Sequence, residues 1–379
     1  MKTKTLIYKK DKGWSSAFPE LDSKHTLILI FGSPSYINDQ KPIQKLSDFY
    51  KESTILGCSS AGEILQDKIS DETLVVSISK FEQTTFTLAT ETYNDPSESY
   101  AIGKKIALNL KKDDLKFILI LSAGLNINGS KIVNGVNDHI DKDIIITGGL
   151  AGDGYRFQKT WVIDKGKLET NVVTAVGFYG DAIEVGSGSY GGWNMFGPDR
   201  IITRSKDNVL YEIDGKPALS LYKNYLGERA NELPASALLF PLAIRKDKDD
   251  EEIVRTILSI NEDEQSMTFA GDVPQGWHSK LMRANMDNLI DGASKASQKV
   301  AKIRDNGNDV LVIAISCVGR RLVLRERSEE EIEAVIDCFP KGIQLVGFYS
   351  YGEISSEGFK DCKLHNQTMT LTTISENIK

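Results

Sequence analysis

Short, almost unbroken apolar runs punctuate this chain, and between them apolar residues spread out to helical spacing. The runs are Leu27-Ile28-Leu29-Ile30-Phe31, Phe117-Ile118-Leu119-Ile120-Leu121 and Val310-Leu311-Val312-Ile313-Ala314-Ile315. Runs this short, without polar alternation, predict strands buried on both faces. Each leads through a helix-length segment to a glycine-bearing stretch that ends in an acid. These stretches are Gly57-Cys58-Ser59-Ser60-Ala61-Gly62-Glu63, Thr147-Gly148-Gly149-Leu150-Ala151-Gly152-Asp153 and Gly347-Phe348-Tyr349-Ser350-Tyr351-Gly352-Glu353. A β-rich stretch follows each time, at 73–79, 171–179 and 368–374. One strand–helix–strand unit with a Gly-rich loop at its strand end therefore recurs three times. The expected fold class is α/β, with mixed sheets covered by helices.

Two further helices stand out. Ser328 precedes three glutamates, and Ile332, Val335, Ile336 and Phe339 share one face, which predicts a helix over 328–339 capped by Ser328. Between 280 and 304, Met282, Met286, Leu289, Ala293, Ser297, Val300 and Ile303 recur at helical spacing, and Asn306-Gly307 ends the run. The methionines there fit a core stripe. A domain seam is expected near 199–207. It follows the Gly-rich stretch 186–197 and precedes Val209-Leu210-Tyr211-Glu212-Ile213, an Asp214-Gly215 turn and a helix from 217 to about 226 closed by Gly227. Two domains follow, 1–205 and 206–379, packed together because no long linker separates them.

At 379 residues the chain exceeds what one core usually supports. A net charge of −7, with no clustered Lys and Arg, argues against a nucleic-acid partner. The apolar runs fall short of the ~20 residues of a membrane helix. The N-terminus lacks a sustained apolar signal region, so the expected compartment is the cytoplasm, with no membrane partner. Cys58, Cys317, Cys338 and Cys362 show no C-x-x-C spacing, which fits reduced thiols. Cys317 lies in an apolar run and is expected in the core.

Five segments in order resemble the FIST family, whose N-terminal and C-terminal modules occur in tandem. They are Leu56–Ile64, Thr147–Asp153, Val209–Ala218 (VLYEIDGKPA), Val346–Ile354 and Leu364-His365-Asn366-Gln367-Thr368. The resemblance implies a sensory input module of signal transduction that binds a small molecule such as an amino-acid-like metabolite. It is also similar to a stand-alone subset of about this length that binds haem, senses nitric oxide and acts on separate histidine kinases or cyclic-dinucleotide enzymes. Such a partner and, for that subset, a haem cofactor are what the resemblance implies here.

Strand ends feeding glycine-rich loops are where α/β proteins take ligands. Glycine lets the backbone approach a ligand, and exposed N–H groups hold anions. Glu63, Asp153 and Glu353, aligned in equivalent loops, are expected to share one recess. Cys58, Ser59, Ser60, Gly62, Gly152, Tyr349, Tyr351 and Gly352 complete that candidate set, with the amides of Asn366 and Gln367 nearby. For each acid, capping or bracing its own loop is the competing role. Among four histidines, His278 follows Gly276-Trp277 and His365 lies in the last family segment, so these are the candidate haem ligands. His25 and His139 are expected at the surface. No other metal site is expected.

Catalytic motifs fail. Gly186-Ser187-Gly188-Ser189-Tyr190-Gly191 matches G-x-G-x-x-G but opens no helix. There is no Walker sequence, H-E-x-x-H or G-x-S-x-G. The expectation is a sensor with no output domain of its own, with an enzyme using the acid cluster as the alternative.

Overall fold

The computed structural model describes residues 1–250, 252–300, 309–356 and 361–378. The fold is mixed α/β and is built on the repeated unit. Each unit contributes four long strands, called a to d in chain order. In the first they are Lys2–Lys9, Thr26–Gly32, Thr54–Ser59 and Thr73–Lys80. In the second they are Thr85–Thr92, Leu115–Ser122, Ile145–Leu150 and Val172–Tyr179. In the third they are Ile183–Tyr190, Leu311–Cys317, Gln344–Ser350 and Met369–Glu376. Within every sheet the order is c–b–d–a, with b and c parallel and the other pairs antiparallel.

The b strands show why their sequences are apolar throughout. Side chains alternate between the two faces of a strand. Leu27, Leu29 and Phe31, Phe117, Leu119 and Leu121, and Leu311, Ile313 and Ile315 all turn into one common core. Their neighbours face outward under helices: Ile28 and Ile30 on one side, and Ile118, Ile120, Val312 and Ala314 on the other. Phe31 stacks on Phe348 in the common core, with ring centroids 4.7 Å apart. Each fully buried side chain of this kind contributes about 1.5–3 kcal/mol.

A short fifth strand of each unit leaves its own sheet. Glu63–Leu65 of the first unit pairs with Gln344–Ser350 of the third. Gly352–Ser355 of the third pairs with Ile145–Leu150 of the second. Val162–Asp164 of the second pairs with Thr54–Ser59 of the first. The exchange is cyclic and closes on itself. Close approach between b and c strands explains one glycine in each unit. At Gly148, whose φ is +151, a Cβ would collide with the Ile120 carbonyl, and Gly57 and Gly347 meet the matching carbonyls of Ile30 and Ala314.

Between strands a and b of the third unit, a separate sheet wraps the helix Ala218–Leu226 around its own core of Leu210, Leu219, Tyr222, Ile257, Met267 and Phe269. Gly227 ends that helix as expected. Asn366 and Gln367 tie this insertion to the repeats. The Asn366 side-chain oxygen accepts from the Thr256 N–H at 3.2 Å, and the Gln367 amide donates to Thr256 Oγ1 at 3.0 Å and to the Leu238 carbonyl at 3.1 Å.

Several local expectations need correction. Met282 lies on the strand His278–Ala284, and the helix runs from Met286 to Val300; Ile303 and Asn306-Gly307 fall outside the described residues. Ser328 is the first residue of the helix Ser328–Ile336 rather than its cap, and its hydroxyl donates to the Arg325 carbonyl at 2.6 Å. The stretch 199–206, where the seam was expected, lies in the strand Trp193–Lys206, whose pairing shifts register between Phe196 and Arg200 and again after Ile202. The glycines 186 and 188 lie within the strand Ile183–Tyr190, so the G-x-G-x-x-G match has no loop at all. Among the described residues no helix is long and apolar enough to cross a membrane.

Candidate functional site

The three glycine-bearing loops interlock. The Ala61 N–H donates to the Tyr349 carbonyl at 2.8 Å, Tyr351 N–H to Leu150 at 3.1 Å, and Gly152 N–H to Ser59 at 3.0 Å. Each loop thus holds the next through its main chain, following the same cycle as the exchanged strands.

All three aligned acids are buried. Glu63 and Glu353 sit in the same clamp. The Ser60 hydroxyl donates to one Glu63 oxygen, while the Thr73 N–H and hydroxyl donate to the other at 3.0 and 2.8 Å. For Glu353 the donors are Ser350 at 2.5 Å and Thr368 at 3.1 and 3.0 Å. Burial pushes both carboxyls up to about 8, against the lowering effect of these hydrogen bonds. Asp153 braces its own loop, accepting from the N–H groups of Phe157, Gln158 and Lys159 at 2.9 Å each and from the Tyr351 hydroxyl.

Glu63 and Asp153 line one cavity of about 630 Å³, together with Ser60 and Gly62. Glu353 is not part of that wall, so the structure brings together two of the three acids. Cys58 is in the common core with its thiol pushed up by burial. Ser59 accepts from the Trp161 N–H at 3.1 Å, and Gly152 packs against Ala61 and Tyr349. The Tyr349 hydroxyl reaches Glu331 at 3.3 Å, Tyr351 stacks on Phe157 at 4.8 Å, and Gly352 packs on Leu364. Cys58, Ser59, Gly152, Tyr349, Tyr351 and Gly352 are not part of the cavity wall.

The remaining wall comes from segments the sequence did not single out. Ser33 and Pro34 follow strand b of the first unit, and Val318, Arg321, Leu322 and Arg325 follow strand b of the third. Asp71, Glu72, Tyr155 and Arg156 stand around them, and Glu232, Ala235, Ser236 and Leu239 come down from the insertion. Arg321 is held by Asp71 through both terminal guanidinium nitrogens, at 2.8 and 2.7 Å, and donates to the Ala61 carbonyl at 2.6 Å. The adjacent arginines directly after an apolar strand were the available sequence signal. Gly62 makes room for that guanidinium. Its φ is +139, and a Cβ would collide with Arg321. Gly62→Ala is expected to cost about 1–3 kcal/mol, read by urea denaturation, because backbone strain and a displaced arginine add.

The candidate haem ligands lie apart from this cavity. His278 is on the insertion, with Nδ1 3.1 Å from Asp199, which also pairs with Arg245. His365 borders a second cavity of about 420 Å³ whose wall includes Lys295, Lys299, Lys363, Asn194 and Asn288. Haem needs an apolar slot beside its axial ligand. The ion-pair cluster around His278 does not fit it, whereas the wall beside His365 mixes Trp193, Ile253, Val254 and Met282 with its lysines and amides. His139 is half-buried just beyond the helix Gly129–Asn137, its Nδ1 3.0 Å from the Gly135 carbonyl. Among the described residues no His, Cys, Asp and Glu side chains group to hold a metal ion.

These features define an α/β protein with a recess at its strand tips, where such proteins take small molecules. The FIST N domain family matches residues 26–216 and the FIST C domain family residues 218–356. The chain belongs to the FIST family, whose domains sense small ligands in signal transduction. No curated protein matches the sequence. A cyanuric acid hydrolase from A. caulinodans is a distant structural neighbour at 7% identity and a TM-score of 0.35, over 93% of this chain and 90% of that one. A likeness this weak carries no functional argument.

Proposed function

We propose that this chain is a cytoplasmic sensor that takes a small polar metabolite into the 630 Å³ cavity and signals through a separate protein, such as a histidine kinase or cyclic-dinucleotide enzyme. The observation that carries the ligand site is the wall itself. Loops of all three repeats and the insertion segment containing Ser236 and Leu239 meet there. A molecule seated among them contacts four parts of the chain at once. It therefore binds unequally to arrangements that differ in how the insertion sits, which is what a signal requires. The partner class rests on family membership alone.

Loop bracing suits Glu63 and Asp153 better than acid–base catalysis. Both oxygens of each are engaged by donors of the surrounding chain, which fix the carboxyl in place.

The test is thermal unfolding of the whole chain against a panel of amino acids, organic acids, nucleotides and haem, in parallel with Leu322→Trp, which fills the cavity. A ligand at a hundred times its Kd adds about 2.7 kcal/mol, a shift of several degrees. Such a shift is expected in the native chain and absent in Leu322→Trp. A panel that moves neither protein, or moves both equally, rejects this cavity as the site.

A further inference from the structure

Arg156 and Arg325 stand out on the cavity wall. Both are exposed, and neither guanidinium has a hydrogen-bond or ion-pair partner among the described residues. The other charges of the wall are mostly matched. Asp71 is taken by Arg321, and Glu72 is held by Lys10 at 3.4 Å and by the hydroxyls of Ser33 and Ser35. Buried Glu63 and Asp153 are saturated by the donors described above. Glu232 is the remaining rim acid, set against two unmatched cations.

Arg325 also holds an unfavourable backbone. It ends the helix Val318–Leu324 at φ 51 and ψ −117. Gly227 ends the helix Ala218–Leu226 at φ 60 and ψ −128, almost the same conformation. Glycine takes that region freely, whereas a side chain there costs about 1–3 kcal/mol. The turn needs only what glycine supplies, yet an arginine occupies it and leaves its charge unused by the protein. Strain of this kind collects where a side chain serves a ligand.

Resting on the reading of this cavity as the ligand site, we infer that its mouth recognises an anionic group of the ligand, a carboxylate or a phosphate, through Arg325 and Arg156. A guanidinium presents a planar fork of donors that matches either group. Arg321 belongs to the same wall but is committed to Asp71. The ligand is thus a small acid or a small phosphorylated compound, with the polar floor at Ser60 receiving its uncharged end.

Three full-length proteins test this: the native chain, Arg325→Gly and Arg156→Ala. Each is melted alone and titrated calorimetrically with inorganic phosphate and with succinate, at ionic strength matched by sodium chloride. Arg325→Gly is expected to melt a few degrees above the native chain while binding the preferred probe at least tenfold more weakly. Arg156→Ala is expected to bind it more weakly too. The arm that binds the native chain separates phosphorylated from carboxylate ligands. A lower or unchanged melting temperature for Arg325→Gly overturns the strain argument, and undiminished binding in both variants overturns the anion role. If neutral or cationic metabolites enter the cavity while both anions fail, this inference falls and the ligand site stands. If no compound of any charge binds, the reading of the cavity falls with it.

Discussion

Replacing Arg320 by methionine is expected to remove about 3–5 kcal/mol of stability, because it leaves a carboxylate buried without its countercharge. Arg320 and Glu331 are both fully buried, with Nε 2.7 Å from the carboxylate oxygen. The other Arg320 nitrogens donate to the carbonyls of Leu289, at 2.7 Å, and Gly191. The pair thereby joins the helix Met286–Val300 and the end of strand a to strand b of the third unit. Glu331 also accepts from Ser316 at 2.9 Å and Tyr349 at 3.3 Å, which do not replace a positive charge. Urea denaturation should show the loss as a lower midpoint. The double variant Arg320→Met/Glu331→Leu should recover much of it, since the orphaned charge goes with its partner. A single variant within 1 kcal/mol of the native chain would contradict the assignment.

Stability is expected to fall as pH rises between about 5 and 9, through the two clamped glutamates. Each has a folded value near 8, raised by burial from an ordinary value of 4.5. The folded chain therefore keeps protons that the unfolded chain releases. The stabilisation is complete below about pH 4.5 and is lost as pH passes through about 8. At about 1.4 kcal/mol per unit, each site contributes on the order of 3–5 kcal/mol over that window. Glutamine fixes the neutral form, with its oxygen able to accept from Thr73 or Thr368 and its amide able to face Ser60 or Ser350. Glu63→Gln/Glu353→Gln should flatten the dependence, read from urea midpoints at pH 5, 7 and 9. Parallel curves for native and double variant would mean that these carboxyls are ionised throughout.

The repeat was legible because a strand buried on both faces has to be apolar at every position, and the b strands are such strands. The exchange between repeats was not. Glu63–Leu65 and Val162–Asp164 are three residues long, too short for a period, and nothing local says whose sheet they join. Met282 was misplaced because the strand His278–Ala284 ends just before the helix starting at Met286, so one helical spacing spans both. The Ser-x-x-Glu sequence gives the same clamp at Glu63 and Glu353. Which clamp borders a cavity depends on what packs over it, and for that the positions of Leu322, Arg325 and Ser236 had to be known. Arg156 and Arg325 carry no signal in one dimension, because having no partner is a property of the folded surroundings.

The cyclic loan of strands also governs how the molecule comes apart. Remove any one repeat and the sheet of a second loses the two short strands at one edge, while the exported strand of a third has nowhere to dock. No third of the chain is self-sufficient, so the three should melt in a single concerted transition. The first repeat has its own sheet edge closed by Val162–Asp164, but its exported strand Glu63–Leu65 would have to wait for Gln344–Ser350 before it could dock.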